Sequence, residues 1–244
     1  ASNAQRNTRV GTNAGNSFSG TTATDNTLIG YDAGTAITTG DKNVAVGNYA
    51  GDAVTTGNSN NTVGYQAGSA ISTGSNNNFF GALAGKSTTT ADYNVAVGQE
   101  ALEANTTGHS HVAIGFRALE ANTTASYNIA VGRETLKANT TGTANVAVGY
   151  YALATNTTAD SNTAVGYIAL GYNTTGAENT AVGREALEAN TTGASNVAVG
   201  HQALTANTTA NDNTAVGVDA LEANTTGAHQ AAFGGFALQS NTTG

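Results

Sequence analysis

Residues 94–110 read Asn-Val-Ala-Val-Gly-Gln-Glu-Ala-Leu-Glu-Ala-Asn-Thr-Thr-Gly-His-Ser, and residues 111–127 follow as His-Val-Ala-Ile-Gly-Phe-Arg-Ala-Leu-Glu-Ala-Asn-Thr-Thr-Ala-Ser-Tyr. The unit recurs without insertion. With Asn94 as position one, the glycine at position five returns every 17 residues from Gly30 through Gly47, Gly64, Gly81 and Gly98 to Gly234. A repeat this short cannot enclose its own apolar side chains, so neighbouring units must stack, and the chain reads as a solenoid.

The unit favours short strands over helix. Its only run of helix formers, Glu100 to Ala104, ends in Asn-Thr-Thr-Gly, which is turn and strand chemistry. Asn-Val-Ala-Val-Gly places β-branched residues at alternate positions, and the Thr pair adds strand propensity. The expected fold is therefore all-β: a parallel β-solenoid of about 14 coils, 17 residues each, stacked about 4.8 Å apart. Gly11 precedes Gly30 by 19 residues, so residues 1–25 are an irregular first coil and residues 26–244 one regular solenoid domain. Ser2-Asn3-Ala4 has the look of a scar left by tag removal, which makes the chain a segment of a longer protein.

Alternation assigns the strand faces. Position four (Ile29, Val46, Val63, Phe80, Val97, Ile114) is never polar and is expected to point inward. Position three is mostly Ala (Ala45, Ala96, Ala113, Ala130, Ala147) and is expected outward, covered by another chain because it is apolar too. Bulk also changes address along the chain. Early coils pair Gly34, Gly51 and Gly68 at position nine with Ile37, Val54 and Ile71 at position twelve, whereas later coils carry Leu102, Leu119 and Leu136 at nine and Asn105 onward at twelve. Such exchange of volume is what one densely packed, continuous core requires. The coil with Leu83, Gly85 and Thr88 is the junction.

Composition narrows the function. Only 10% of residues are charged and 6% aromatic, and the net charge is -8 with no cluster of Lys or Arg. That excludes a polyanion-binding surface for nucleic acid, and no apolar run is long enough to insert in a membrane as a helix. Cysteine is absent, so disulfides and thiolate metal sites are excluded.

The columns supply the candidate sites. Asn94, Asn145 and Asn179 at position one, and the Asn of each Asn-Thr-Thr, suit amide ladders running from coil to coil. Thr107 and Thr124 belong to a comparable Thr column. Asn-Thr-Thr is also a glycosylation sequon, recurring from Asn105 to Asn241. The Thr column raises ice binding, although adjacent strand residues point to opposite faces and leave one exposed Thr rank. Positions six and seven vary, and Phe116, Arg133, Tyr150, Tyr167 and Arg184 line up as a candidate recognition stripe suited to glycans through stacking and cation–π contacts. Glu100, Arg117 and Glu134 alternate in sign along the next column. His109 and His111 are two apart and fit a shared face, but no third ligand recurs beside them. No catalytic, cofactor or metal set is expected, and the chain is not read as an enzyme.

The units Asn179 to Ser195 (Asn-Thr-Ala-Val-Gly-Arg-Glu-Ala-Leu-Glu-Ala-Asn-Thr-Thr-Gly-Ala-Ser) and Asn145 to Ser161 are similar to a known repeat. They resemble the Asn-Thr-Ala-Val-Gly-x-x-Ala-Leu-x-x-Asn-Thr-Thr-Gly repeats of phage tail-fibre and bacterial surface proteins, which often end in an endosialidase-type intramolecular chaperone. More distantly, the Asn-x-Ala-Val-Gly stretch is similar to the Ser-Val-Ala-Ile-Gly signature of trimeric autotransporter adhesin heads, whose repeat is shorter. The resemblance implies a left-handed β-roll that forms a homotrimer and serves as an extracellular shaft or adhesive head on a virion or bacterial surface, with a cell-surface glycan or protein as receptor. The alternative is a surface-binding module, through an ice-binding Thr face or a glycan-binding aromatic stripe.

Overall fold

A computed structural model describes residues 6–18 and 22–243; Ser2-Asn3-Ala4 and Gly244 lie outside the described residues. The chain divides into two compact units, Ala1–Ser126 and Tyr127–Gly244. The first holds seven strands: β1 (Thr8–Val10), β2 (Thr27–Ile29), β3 (Val44–Val46), β4 (Asn61–Val63), β5 (Asn78–Phe80), β6 (Val95–Val97) and β7 (Val112–Ile114). The second holds β8 (Ile129–Val131), β9 (Val146–Val148), β10 (Thr163–Val165), β11 (Thr180–Val182), β12 (Val197–Val199), β13 (Thr214–Val216) and β14 (Ala231–Phe233). Within each unit every strand pairs parallel with the next, in register, as Ala96 does with Ala113 and Ala164 with Ala181. Each unit is thus a parallel β-solenoid with one three-residue strand per coil, and no helix occurs among the described residues. The first pairing, Thr8 with Thr27, spans 19 residues, as the long opening coil requires.

Only a fifth of each coil is strand, yet the backbone between strands is hydrogen-bonded to neighbouring coils. In the coil beginning at Asn94, Leu102 N–H donates to Ala118 O (2.9 Å), Ala104 N–H to Glu120 O (3.0 Å) and Thr106 N–H to Thr123 O (2.8 Å), all one coil onward. Glu100 N–H donates backward to Ala82 O at 3.0 Å. Turns bring the chain round. Glu100, Leu102 and Ser110 adopt left-handed φ values of 59°, 57° and 60°, an arrangement that recurs in successive coils. Gly98 sits at φ 135°, and a Cβ there would lie 2.5 Å from Gly115 O, so two constraints admit only glycine at position five.

The strand faces are the reverse of the expectation from sequence. Ala96, Ala113, Ala130, Ala147 and Ala164 at position three are fully buried, whereas Val97, Ile114 and Val182 at position four are 37%, 38% and 37% exposed. Volume explains this. The interior of a coil has room for few large side chains: in later coils it holds Leu102, Leu119 or Leu136 at position nine, with buried Ala at position three and Ala101, Ala118 or Thr135 at position eight. In the coils of Leu28, Thr62 and Phe79, where position three is larger than Ala, position nine is Gly; the coil of Ala45 and Gly51 is filled from position twelve by Val54. A Cβ on Gly34 would lie 2.6 Å from Leu28 Cδ2, and one on Gly85 would lie 2.3 Å from Phe79 Cε2. Leu28 and Phe79 are both fully buried. The exchange of bulk therefore involves position three as well as nine and twelve, which places all three columns inside. The outer face imposes no such limit, so β-branched residues can accumulate there.

Candidate functional surfaces

Position one carries the amide ladder. Asn179 is fully buried; its backbone N–H donates to Asn162 Oδ1 (2.9 Å), its Nδ2 to Gly193 O (2.8 Å), and its Oδ1 accepts from Asn196 N–H at 3.0 Å. Asn94 and Asn145 follow the same scheme, with Nδ2 donating to Gly108 O (3.0 Å) and Ala159 O (2.9 Å). Position twelve forms a second ladder, in which Asn122 Nδ2 donates to Asn105 Oδ1 at 2.9 Å and Asn190 Nδ2 to Asn173 Oδ1 at 2.8 Å. The sequon asparagines from Asn105 to Asn224 are fully buried, so their amides face inward and are closed to a glycosyl donor in the folded chain. The Thr ladder runs one residue earlier than expected. Thr106 Oγ1 donates to Thr123 O at 3.0 Å and Thr174 Oγ1 to Thr191 O at 2.9 Å, whereas Thr107 and Thr124 are exposed and form a single outer rank.

The two histidines do not share a face. His111 is fully buried in the Asn column, where its Nε2 lies 2.6 Å from Ala125 O and so makes the bond that Asn94 Nδ2 makes to Gly108 O. His109 lies in a surface groove with Asp92 and Tyr93. Glu100, Glu103 and Glu120 bring carboxylate oxygens within 4.8 Å of one another, but these are engaged by cations: Arg117 Nε lies 2.5 Å from Glu100 and 3.8 Å from Glu120, and Lys86 Nζ lies 3.5 Å from Glu103. The alternating charges at position seven thus act as an ion-pair network, as the Glu100–Arg117 pair was expected to.

Two surfaces remain. The first is the outer face of the strands, where in each unit positions two and four carry mostly Val, Ile and Thr, the exceptions being Asn61, Asn78, Phe80, Ala231 and Phe233. In none of the 14 strands is either position charged. Among its members Phe80, Ile129 and Val148 are 41%, 39% and 36% exposed. Strand alternation puts positions two and four on one face; the expectation that position four points inward is the part the structure overturns. The signal that could have set it right is the covariation between positions three and nine.

The second surface uses the expected recognition stripe. In the second unit Tyr150 and Tyr167 stack with ring centroids 5.3 Å apart and 13° between planes, and the Arg184 guanidinium lies 5.8 Å from the Tyr167 centroid. Arg133 lines the same groove as Tyr150 and Tyr167, together with Glu134, Tyr151, Thr155, Ile168 and Tyr172; its volume is about 540 Å³. Tyr151 lies 5.4 Å from Tyr150, and Tyr172 is about half exposed. Phe116, in the first unit, is covered by its neighbour Arg117, whose guanidinium lies 5.0 Å from the ring centroid. Arg184 donates to Glu185 at 2.8 Å, which holds that carboxyl below the usual range, and Arg133 Nε lies 3.3 Å from Glu134. Tyr151, Ile168 and Tyr172 were missed because each is unremarkable alone; their signal is departure from the columns they occupy. The chain matches no protein-family model, no curated protein and no solved structure.

Proposed function

We propose that this chain is a structural and adhesive segment, a repeat shaft or head of a phage tail fibre or bacterial surface adhesin, that self-associates through the outer strand face as a homotrimer. The observation that carries the reading is the pair of uncharged, mostly β-branched files along the strands. Contiguous apolar surface of this kind marks contact sites. Its periodicity selects the partner: side chains spaced at about 4.8 Å are matched rank for rank by a surface of the same period, and a second copy of this chain has it. Three copies, and an extracellular setting, are what the resemblance to adhesin heads and tail-fibre repeats implies.

Magnitudes make length decisive. Val97 is already nearly two-thirds buried, so covering the rest is worth about 0.5–1 kcal/mol, or roughly 1–2 kcal/mol for the two outward residues of one coil. Association costs about 4–15 kcal/mol in lost freedom. One coil cannot hold two chains together, while a run of seven can. Light scattering across a range of concentrations tests this. The expected mass is near three times 24.2 kDa, and Val97→Lys with Ile114→Lys, Val182→Lys and Val199→Lys is expected to reduce it to that of one chain without loss of β circular dichroism. A wild-type chain that stays monomeric at every concentration would overturn the proposal.

A further inference from the structure

The geometry points to a carbohydrate-binding site in the groove of the second unit, one that takes a neutral pyranose oligosaccharide between Tyr172 and the Tyr150–Tyr167 stack. This names the ligand class for the adhesive half of the preceding proposal and is independent of its self-associating half, since the groove lies beyond the Gly turn from the Val files. The groove is a local departure from the array. Position ten carries Lys137 and Glu188 in the flanking coils, and a long charged side chain in most coils from Lys86 to Glu222 with Thr205 an exception. In these two coils it is Ala154 and Gly171, which removes long charged side chains from the surface here. At position eleven Ala104, Ala121, Ala138, Ala189 and Ala206 give way to Thr155 and Tyr172. Position seven becomes Tyr151 and Ile168 where the flanking coils carry Glu134 and Glu185. The column is also aromatic or apolar at Tyr49, Leu83 and Phe236, so it is the combination with positions ten and eleven that sets these two coils apart. None of these changes serves the core, because Ala164, Ala169, Leu170 and Asn173 keep their residue types and full burial.

The chemistry fits a sugar. Tyr172 stacks on no other ring or guanidinium among the described residues, and its neighbours in the column, Thr155 and Ala189, are small, so a ring face is open to the C–H face of a pyranose. The hydroxyls of Tyr150, Tyr151 and Tyr167 and the Arg133–Glu134 pair surround the groove with donors and acceptors. Arg133 and Arg184 each have a carboxylate of their own coil beside them, so charge is balanced locally and an uncharged polyol suits the groove better than an anion.

The chain has nine tyrosines and no tryptophan, so binding at four of those tyrosines is readable in its intrinsic fluorescence. Titration with maltohexaose, cellohexaose, chitohexaose and a β-1,3-glucan hexamer is expected to give saturable changes with at least one. Tyr172→Ala installs the residue that Ala138 and Ala189 place at the same position, so the coil should fold unaltered; Tyr150→Ala is the second variant. Each is expected to weaken binding roughly three- to tenfold while the mass in solution stays that of the wild type. No saturable change with any of the four sugars up to millimolar concentration, or binding that both variants leave intact, would overturn the assignment. A change of mass with sugar binding retained would count against the self-association proposal alone.

Discussion

The arrangement of the core predicts a specific exchange between positions three and nine. Coil five fills its interior from position three, with Phe79 lying where a side chain on Gly85 would be, and coil six fills it from position nine, with Leu102 beside Ala96. Ala96→Phe alone adds a ring to a space Leu102 already occupies and should cost about 3 kcal/mol or more through overpacking. Leu102→Gly alone leaves a cavity worth about 2–5 kcal/mol, of which about 1 kcal/mol returns because a left-handed φ of 57° suits glycine. The double variant recreates the Phe79–Gly85 pair and should fall within about 2 kcal/mol of wild type, a coupling of about 3 kcal/mol. Because repeat arrays unfold segment by segment, the assay is amide exchange read within residues 94–110, supported by urea unfolding. Additive costs would refute the shared interior, and with it the assignment of Ala96 to the inside.

Asn179→Ala should destabilise its coil by about 3–5 kcal/mol, since it orphans the buried Gly193 carbonyl and the Asn196 backbone N–H; Thr107→Val, on the exposed rank, should stay within about 0.5 kcal/mol in the same unfolding experiment. Asp52 has one carboxylate oxygen buried without a hydrogen bond, and burial raises its pKa. A raised acid pKa means that the folded state holds the proton more tightly, so the cost of ionising Asp52 grows as pH rises from about 3.9 through the folded value. Asp52→Asn is therefore expected to raise the melting temperature at pH 7 and to lose that advantage below about pH 4; a difference independent of pH would refute the account.

Period and element type were legible because they depend on identity recurring at a fixed spacing: glycines of the Gly98 column such as Gly47, Gly98 and Gly183 fall at the one turn where a Cβ would meet the next coil's carbonyl, and Gly234 has no such neighbour. The Asn ladders were legible for a related reason, since an amide can donate and accept along a stack and few other side chains can. Facing was not, because alternation separates two faces without saying which is inside. A bulky apolar column usually marks a core, but a 17-residue coil encloses too little volume to hold Leu102 and two Val files together. The left-handed residues Glu100, Leu102 and Ser110 were also hidden, because nothing in a non-glycine side chain announces that conformation. Of the recognition stripe, Arg133, Tyr150, Tyr167 and Arg184 do come together. Of the residues completing the groove, Thr155 and Tyr172 belong to a column that elsewhere is Ala or Ser, and Tyr151 and Ile168 to one that varies from Glu100 to Tyr49 and Leu83; they emerge only when a coil is compared with its neighbours.

That comparison bears on where a repeat chain can hold a binding site at all. Inward columns are fixed by the same volume in coil after coil: a larger residue at position three must be met by glycine at position nine, as Leu28 is by Gly34. Such changes preserve the array and add nothing to its surface. Outward columns divide into two kinds. Positions two and four are free to vary in volume, yet stay uncharged in every described strand, as the proposed self-association through this face requires. Positions six, seven, ten and eleven vary without a common rule; tyrosines recur at six and seven as Tyr31, Tyr49 and Tyr65, and in residues 145–178 Tyr150, Tyr151 and Tyr167 are accompanied by Ala154 and Gly171 at ten and Thr155 and Tyr172 at eleven. Uniformity along the strand face of each unit suits the proposed self-association, and concentration of changes in two coils suits the proposed ligand of small extent. If both proposals hold, the Val files and the tyrosine groove serve different partners, and a substitution in either is expected to leave the other's binding untouched.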